Sequence, residues 1–385
     1  MKKNLFGWLA MATMLVGTSC SSDEVMNDYS PENAIQFGTY LGRGAQGRGT
    51  VLKNENIANF GVFASYTGQS DWNINKSLNF MFNEDIIRDV NTWSYDPVKY
   101  WPTTKDDRIS FFAYAPHTSD ANTKGIAVKS ANTDLGIPII TYTIQEENLT
   151  TQADFTADVI YNKTRNSNPS SETLDSYDQP VYFTLLHELT RVNIYARLDR
   201  NVAASTKVNI KKIEVVKKGK FNTTADYTFA APDKTRGTWG NFTGAIEDLD
   251  LGNLMCDQLA PASEMNGYNE NGVLVSSTTP VAMFEDDQYL FLIPSNGVDG
   301  LATAGDITLR VSYDIVTLDD NLNPKYSVTP AVKEIPLCVG DLKQGVAYVY
   351  TLVIGLNEIK LSASVQGWDE TGHEEYVDWT DTDKK

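Results

Sequence analysis

The stretch ITLRVSYDI, residues 307–315, decides how this chain is read. Ile307, Leu309, Val311, Tyr313 and Ile315 alternate with Thr308, Arg310, Ser312 and Asp314. A period of two puts one set on a core face and the other toward water, which is a half-buried strand. The same rhythm runs through Val192, Ile194, Ala196 and Leu198, through Phe60, Val62 and Ala64, and through Leu361, Ala363 and Val365. No stretch keeps helical spacing for three turns, and Asp85–Val90 reads at most as a short helix. Clusters of Gly, Asn, Asp and Pro separate the strands. The prediction is an all-β chain of packed antiparallel sheets, sandwiches or barrels.

A length of 385 residues suits two domains. The segment NKTRNSNPSSETLDSYDQP, residues 162–180, replaces nearly all large apolar residues with polar and turn-forming ones. It divides the chain into a first β domain at 34–162, a linker at 163–179 and a second β domain at 180–380. No fixed-period repeat points to a solenoid or propeller.

The first residues are of another kind. Lys2 and Lys3 precede an apolar run from Leu5 to Val16, too short to span a bilayer but suited to a secretory signal. Gly17, Thr18 and Ser19 then lead to Cys20, Ser21, Ser22, Asp23 and Glu24. This is similar to a bacterial lipoprotein signal over residues 1–19, cut before a cysteine whose sulfur takes lipid, with Gly17 standing where a leucine is usual. Residues 20–33 then read as a flexible tether. Net charge is −18; a chain without residues 1–19 loses two lysines and carries −20. Such a surface repels nucleic acid and anionic lipid, so the tether to the membrane is acyl rather than ionic. Cys256 and Cys338 are isolated in sequence, form no metal-binding spacing and read as buried apolar residues, with a disulfide between them left open.

The motifs that carry chemistry fail on their own physics. Gly42, Gly44 and Gly47 fit the dinucleotide pattern, but Gly49–Asn54 does not read as the helix whose amides would hold a pyrophosphate. Asp319, Asn321 and Asn323 open like a calcium loop, yet Pro324 and Pro330 occupy the glycine and glutamate positions, which leaves a hairpin turn. His187 and Glu188 begin HELTR, which lacks a second histidine and lies in a strand-like run. Fifty acidic residues make some close carboxylate pair inevitable, so such a pair carries no information about glycoside hydrolysis. The expectation is a protein without enzymatic activity, cofactor or metal. Trp93, Tyr95, Tyr100 and Trp101, followed by Phe111, Phe112 and Tyr114, suit either sugar stacking or, more commonly, a sandwich core.

Three segments then resemble signatures of the fimbrillin family, the pilin-like lipoproteins of certain Gram-negative bacteria. They are WSYDPVKYWPTTKDDRISFFAYAP at 93–116, VYFTLLHELTRVNIYARL at 181–198 and YVYTLVIGLNEIKLSASVQGW at 348–368. The resemblance implies two successive β-sandwich domains of transthyretin-like topology. It also implies export as a precursor lipidated, as by palmitate, on Cys20 in the outer membrane. A trypsin-like protease then cuts after an arginine in the loop that follows the first strand.

Here that strand is Ile35–Tyr40, and YLGRGAQGRG at 40–49 offers Arg43 and Arg48 between glycines that let a loop extend into a protease cleft. Loss of the strand, with Ile35 and Phe37, leaves an apolar groove and unpaired amides that favour a strand from another fimbrial subunit. The donor implied lies in EEYVDW, residues 374–379, with Tyr376 and either Val377 or Trp379 as plugs. The competing reading is a monomeric, lipid-anchored glycan-binding protein that uses exposed aromatics.

Overall fold

The computed structural model describes residues 33–41, 52, 56–90, 92–104, 106–119, 125–129, 136–164, 180–244, 246–256, 258–294, 307–337, 342–356, 358–366 and 368. Apart from two short 3-10 turns, Glu146–Thr151 and Gly252–Leu254, its regular elements are strands. The first nine are β1 (Phe37–Leu41), β2 (Asn59–Gly68), β3 (Met81–Asp89), β4 (Thr92–Ser94), β5 (Arg108–Ala115), β6 (Ile126–Val128), β7 (Ile139–Thr143), β8 (Thr156–Thr164) and β9 (Val181–His187). Next come β10 (Thr190–Leu198), β11 (Thr206–Phe221), β12 (Thr224–Thr228), β13 (Thr238–Thr243), β14 (Ile246–Asp250) and β15 (Gln258–Leu259). The chain continues with β16 (Asn271–Val275), β17 (Val281–Ala282), β18 (Leu290–Leu292), β19 (Ile307–Leu318), β20 (Tyr326–Pro336), β21 (Ala347–Ile354) and β22 (Ile359–Gln366).

The first sheet has the order β1-β9-β8-β5-β2-β3-β4, and its central strands β2 and β5 are buried on both faces. One face carries Phe60, Val62, Ala64, Phe111, Ala113 and Phe183, and closes over Ile35, Phe37 and Trp101. The other carries Phe63, Phe112, Tyr114 and Ala157. It packs on a small sheet of order β13-β12-β7-β6, through Ile140, Tyr142, Tyr227 and Trp239. Burial on both sides explains why β5 reads as an unbroken apolar run, RISFFAYA, instead of an alternating one.

The remaining strands form the second sandwich. A sheet of order β17-β10-β21-β22, with β18 also on β10, faces a sheet of order β15-β16-β11-β19-β20, with β14 also on β11. The alternation of ITLRVSYDI places Ile307, Leu309, Val311 and Tyr313 in the core between them, opposite Ile194, Tyr350 and Leu352. The exposed side of β19 carries Arg310, which meets Asp248 at 2.7 Å and Glu334 at 3.0 Å across the neighbouring strands. This all-β sandwich architecture is the one the periodicity predicts.

Several particulars differ from the sequence reading. Residues 85–89, read as a possible short helix, belong to β3, because pairing with β2 satisfies their backbone groups and sets Ile86 inward and Ile87 outward. The sheets are not wholly antiparallel: β1 runs parallel to β9, and β10 runs parallel to β21. The first strand runs Phe37–Leu41 instead of Ile35–Tyr40, with Ile35 two residues ahead of it. Val365 is 59% exposed, because β22 lies at the edge of its sheet. The segment 165–179, at the heart of the expected linker, lies outside the described residues. Across it, β9 joins the first sheet, and β12 joins β7, so the sheets interleave residues from both sides of 163–179. Cys256 is half-buried, and Cys338 lies outside the described residues.

Phe112 makes edge contacts with Trp72, Tyr161 and Phe229 at 5.6–5.8 Å between centroids, bridging the first sheet to the small one. Phe112→Ala should therefore cost about 3–5 kcal/mol of unfolding free energy in urea titration. Phe82→Ala, at a side chain 36% exposed, should cost less than about 1.5 kcal/mol.

Candidate functional site

The site is the berth of β1. Five backbone pairs, Phe37 with Val181 through Leu41 with Leu185, hold β1 parallel to β9. Ahead of the strand, the Ile35 amide donates to the Lys99 carbonyl at 2.8 Å, and the Trp101 amide donates to Asn33 at 2.9 Å. The Tyr95 hydroxyl donates to the Ile35 carbonyl at 2.9 Å. One lead-in segment is thus stapled to the loop before β5, and the strand proper to β9.

Phe37 fills an aromatic box. Its ring meets Tyr95 at 5.3 Å, Phe111 at 5.7 Å, Phe183 at 6.1 Å and Phe60 at 6.5 Å. Ile35 is buried in the same core. On the outer face, Gly38 stands opposite Tyr182, whose ring lies where a Cβ on residue 38 would be, at 2.5 Å. A bare backbone there lets the ring lie flat over the strand.

β9 is held to the rest of its sheet less firmly than to β1. Its ladder with β8 comprises Thr156 with His187 and Ala157 with Leu186. Beyond these, the Asp158 carboxylate accepts the Thr184 amide at 2.7 Å, doing with a side chain what a ladder carbonyl does elsewhere. Burial pushes the Asp158 carboxyl up to about 6 from its ordinary 3.8, against the pull of the Thr184 amide.

At its far end β9 meets the junction between the two halves of the molecule. His187 Nδ1 and Asp154 Oδ2 are 2.8 Å apart, and the same oxygen accepts the Leu52 amide at 3.1 Å. The His187 ring stacks on Trp368 with centroids 4.5 Å apart. The Arg191 guanidinium sits over Trp368 at 5.5 Å and over Tyr289 at 4.7 Å. Glu188, 1% exposed, accepts from Gln344 and faces Arg236, whose Nε is 3.6 Å away. Burial pushes the Glu188 carboxyl up to about 7 from 4.5, although Arg236, Gln344 and Tyr227 all favour its charged form. HELTR is therefore a structural knot between the first sheet and the second sandwich, and nothing in its spacing revealed the tie to Trp368 or Arg236.

Of the residues predicted for the site, Ile35 and Phe37 come together in the berth. Cys20, Arg43, Arg48, Tyr376, Val377 and Trp379 lie outside the described residues. The segment holding both arginines is tied at each end: Leu41 pairs with Leu185, and Leu52 donates to Asp154. The aromatic series serves the core. Trp101, Phe111, Phe112 and Tyr114 are buried, while Trp93 and Tyr95 pack against Phe60 and Phe37.

A first strand is thus laid at a sheet edge and closes an aromatic core from far upstream. The chain belongs to the fimbrillin-like family, which it matches over residues 48–368. It is 29% identical over 380 residues to "Fimbrium subunit Fim1C" of Phocaeicola vulgatus, covering 94% of this chain and 96% of that one. It also superposes on the crystal structure of a fimbrial protein from Bacteroides vulgatus with a TM-score of 0.69 and 25% identity, covering 87% of this chain and 99% of that one.

The two raised carboxyls fix a pH dependence. A raised folded-state pKa means the folded chain holds the proton more tightly, so the stabilisation is complete below the ordinary value and is lost as pH rises through the raised one. The windows are about 4.5 to 7 for Glu188 and about 3.8 to 6 for Asp158. Melting temperature should be higher at pH 5 than at pH 8. At about 1.4 kcal/mol per pKa unit, Glu188 alone accounts for about 3 kcal/mol. Glu188→Gln should flatten most of that difference in a calorimetric pH series.

Proposed function

We propose that this protein is a structural or adhesive subunit of a cell-surface fimbrium, assembled by exchange of its first strand. The precursor is exported with lipid on Cys20 and held at the outer membrane. A trypsin-like protease then cuts after Arg43 or Arg48. Cutting at either place severs β1 from the rest of the chain and separates the subunit from its lipid, so one event frees the protein and opens its berth. A neighbour's C-terminal segment, with its plugs drawn from Tyr376, Val377 and Trp379, takes the place of Ile35 and Phe37.

The observation that carries this reading is the seating of β1. The strand lies at a sheet edge, so it can leave without breaking a ladder on its other side. Yet it fills an aromatic box, so its departure exposes a deep apolar groove. Emptying a buried phenylalanine site costs about 3–5 kcal/mol, and five backbone pairs on β9 are lost with it. An unpaired edge beside an apolar slot strongly favours another strand. Residues 20–48, the piece cut from the lipidated precursor, carry two arginines against four acids, so discarding them removes only two net negative charges and the apolar groove is the driving feature.

Fimbriae sheared from cells should contain chains that start after residue 43 or 48, by intact mass. Cells carrying Arg43→Ala together with Arg48→Ala should retain the lipidated precursor and shed fibres that lack this subunit. Sheared fibres in which Phe37 is still joined to Leu52 would overturn the reading.

A further inference from the structure

The face of β9 that lines the berth carries Val181, Phe183, Leu185 and His187 in one alternating row. The first three close over β1, with Phe183 stacked on Phe37. The fourth stacks on Trp368, which is 7% exposed and fixed from its other neighbours by Arg191 and Phe291. The root of the C-terminal tail is therefore pinned at the end of the groove that β1 occupies in the same molecule.

The tail is long enough to lie along that groove. Residues 369–385 extend beyond Trp368, and Val377 lies nine positions past it. Nine extended residues cover about 30 Å, whereas the run along β9 from His187 to Val181 is about 20 Å. Of the candidate plugs Tyr376, Val377 and Trp379, the last two share the two-residue spacing of Ile35 and Phe37, so this pair can face one groove together with Tyr376 on the other face. The polar stretch DETGHEE, 369–375, supplies the slack between root and plugs.

We infer that, once β1 is severed, the chain's own residues 376–379 enter its berth beside β9 and hold the trimmed subunit as a self-capped monomer until a neighbour's tail displaces them. This rests on the reading of β1 as the exchanged strand and of the tail as its replacement. A tail tethered this close has an effective concentration in the millimolar range, so at about 1 µM subunit the intramolecular form outweighs the intermolecular one about a thousandfold. Self-capping keeps freshly cut subunits from joining in solution and confines growth to places where subunits are crowded or a fibre end offers an already extended tail.

The test uses the trimmed chain with Cys256→Ser and Cys338→Ser, carrying Pro180→Cys at the level of Gln36 in the β1–β9 register and Asp378→Cys between the two plugs. Oxidation at about 1 µM should give monomers with an internal crosslink, identified by peptide mass. Crosslinked dimers and ladders without the internal product would overturn self-capping while leaving strand exchange in place. Absence of both products would overturn the tail as occupant in either setting. As a second measurement, removal of residues 369–385 from the trimmed chain should lower its melting temperature, and the synthetic peptide of those residues should restore it. An unchanged melting temperature would refute the self-capped form.

Discussion

The pairing of β1 with β9 is the constraint on which the rest of this molecule depends. It is a parallel pair between residues far apart in sequence, and its inward side chain, Phe37, completes an aromatic core built by four other elements. A strand in the middle of a sheet cannot be exchanged without breaking two ladders. An edge strand with only exposed side chains could be lost without consequence. β1 combines the edge position of the second with the burial of a central strand, and the proposed exchange rests on that combination.

The way β9 is held reinforces this. Its ladder with β8 is short, and the Asp158 carboxylate substitutes for part of it. β9 is thus a narrow bridge between the edge strand β1 and the rest of the sheet. At its end, His187 and Glu188 tie it to the second sandwich through Asp154, Trp368, Arg236 and Gln344. A buried carboxylate there is a poor source of net stability, since desolvation offsets much of the attraction from Arg236. What the cluster does fix is geometry, through the contacts of His187 with Asp154, of Gln344 with Glu188 and of Arg236 with the Gln344 carbonyl. The relative placement of groove and tail root comes from it.

Much of the fold was legible along the chain. Alternation in ITLRVSYDI and in residues 192–198 reports a half-buried strand wherever one face meets a core, and those strands are where the pattern puts them. Legibility failed where burial is not one-sided. β5 is apolar throughout because it is covered on both faces, and β3 passes for a short helix because Ile86 and Ile87 are adjacent while only Ile86 is buried. Within the site, Ile35 and Phe37 were legible as the inward residues of a first strand. Their partners were not: Tyr95 and Phe183 come from distant segments, and no local spacing brings them to one ring.

What the sequence by itself determined is therefore the class of structure and the residues with something to bury, since the two-residue period is a local property of a chain at an apolar surface. What only the tertiary structure decided is which strand lies beside which. That β9 crosses the polar stretch to finish the first sheet, that β1 runs parallel to it, and that Trp368 ends up against His187 are all pairings over long separations. Backbone hydrogen bonds carry no sequence label, so the partner of an edge is chosen by the packing of whole sheets, and that choice sets the first strand at a sheet edge over a buried core.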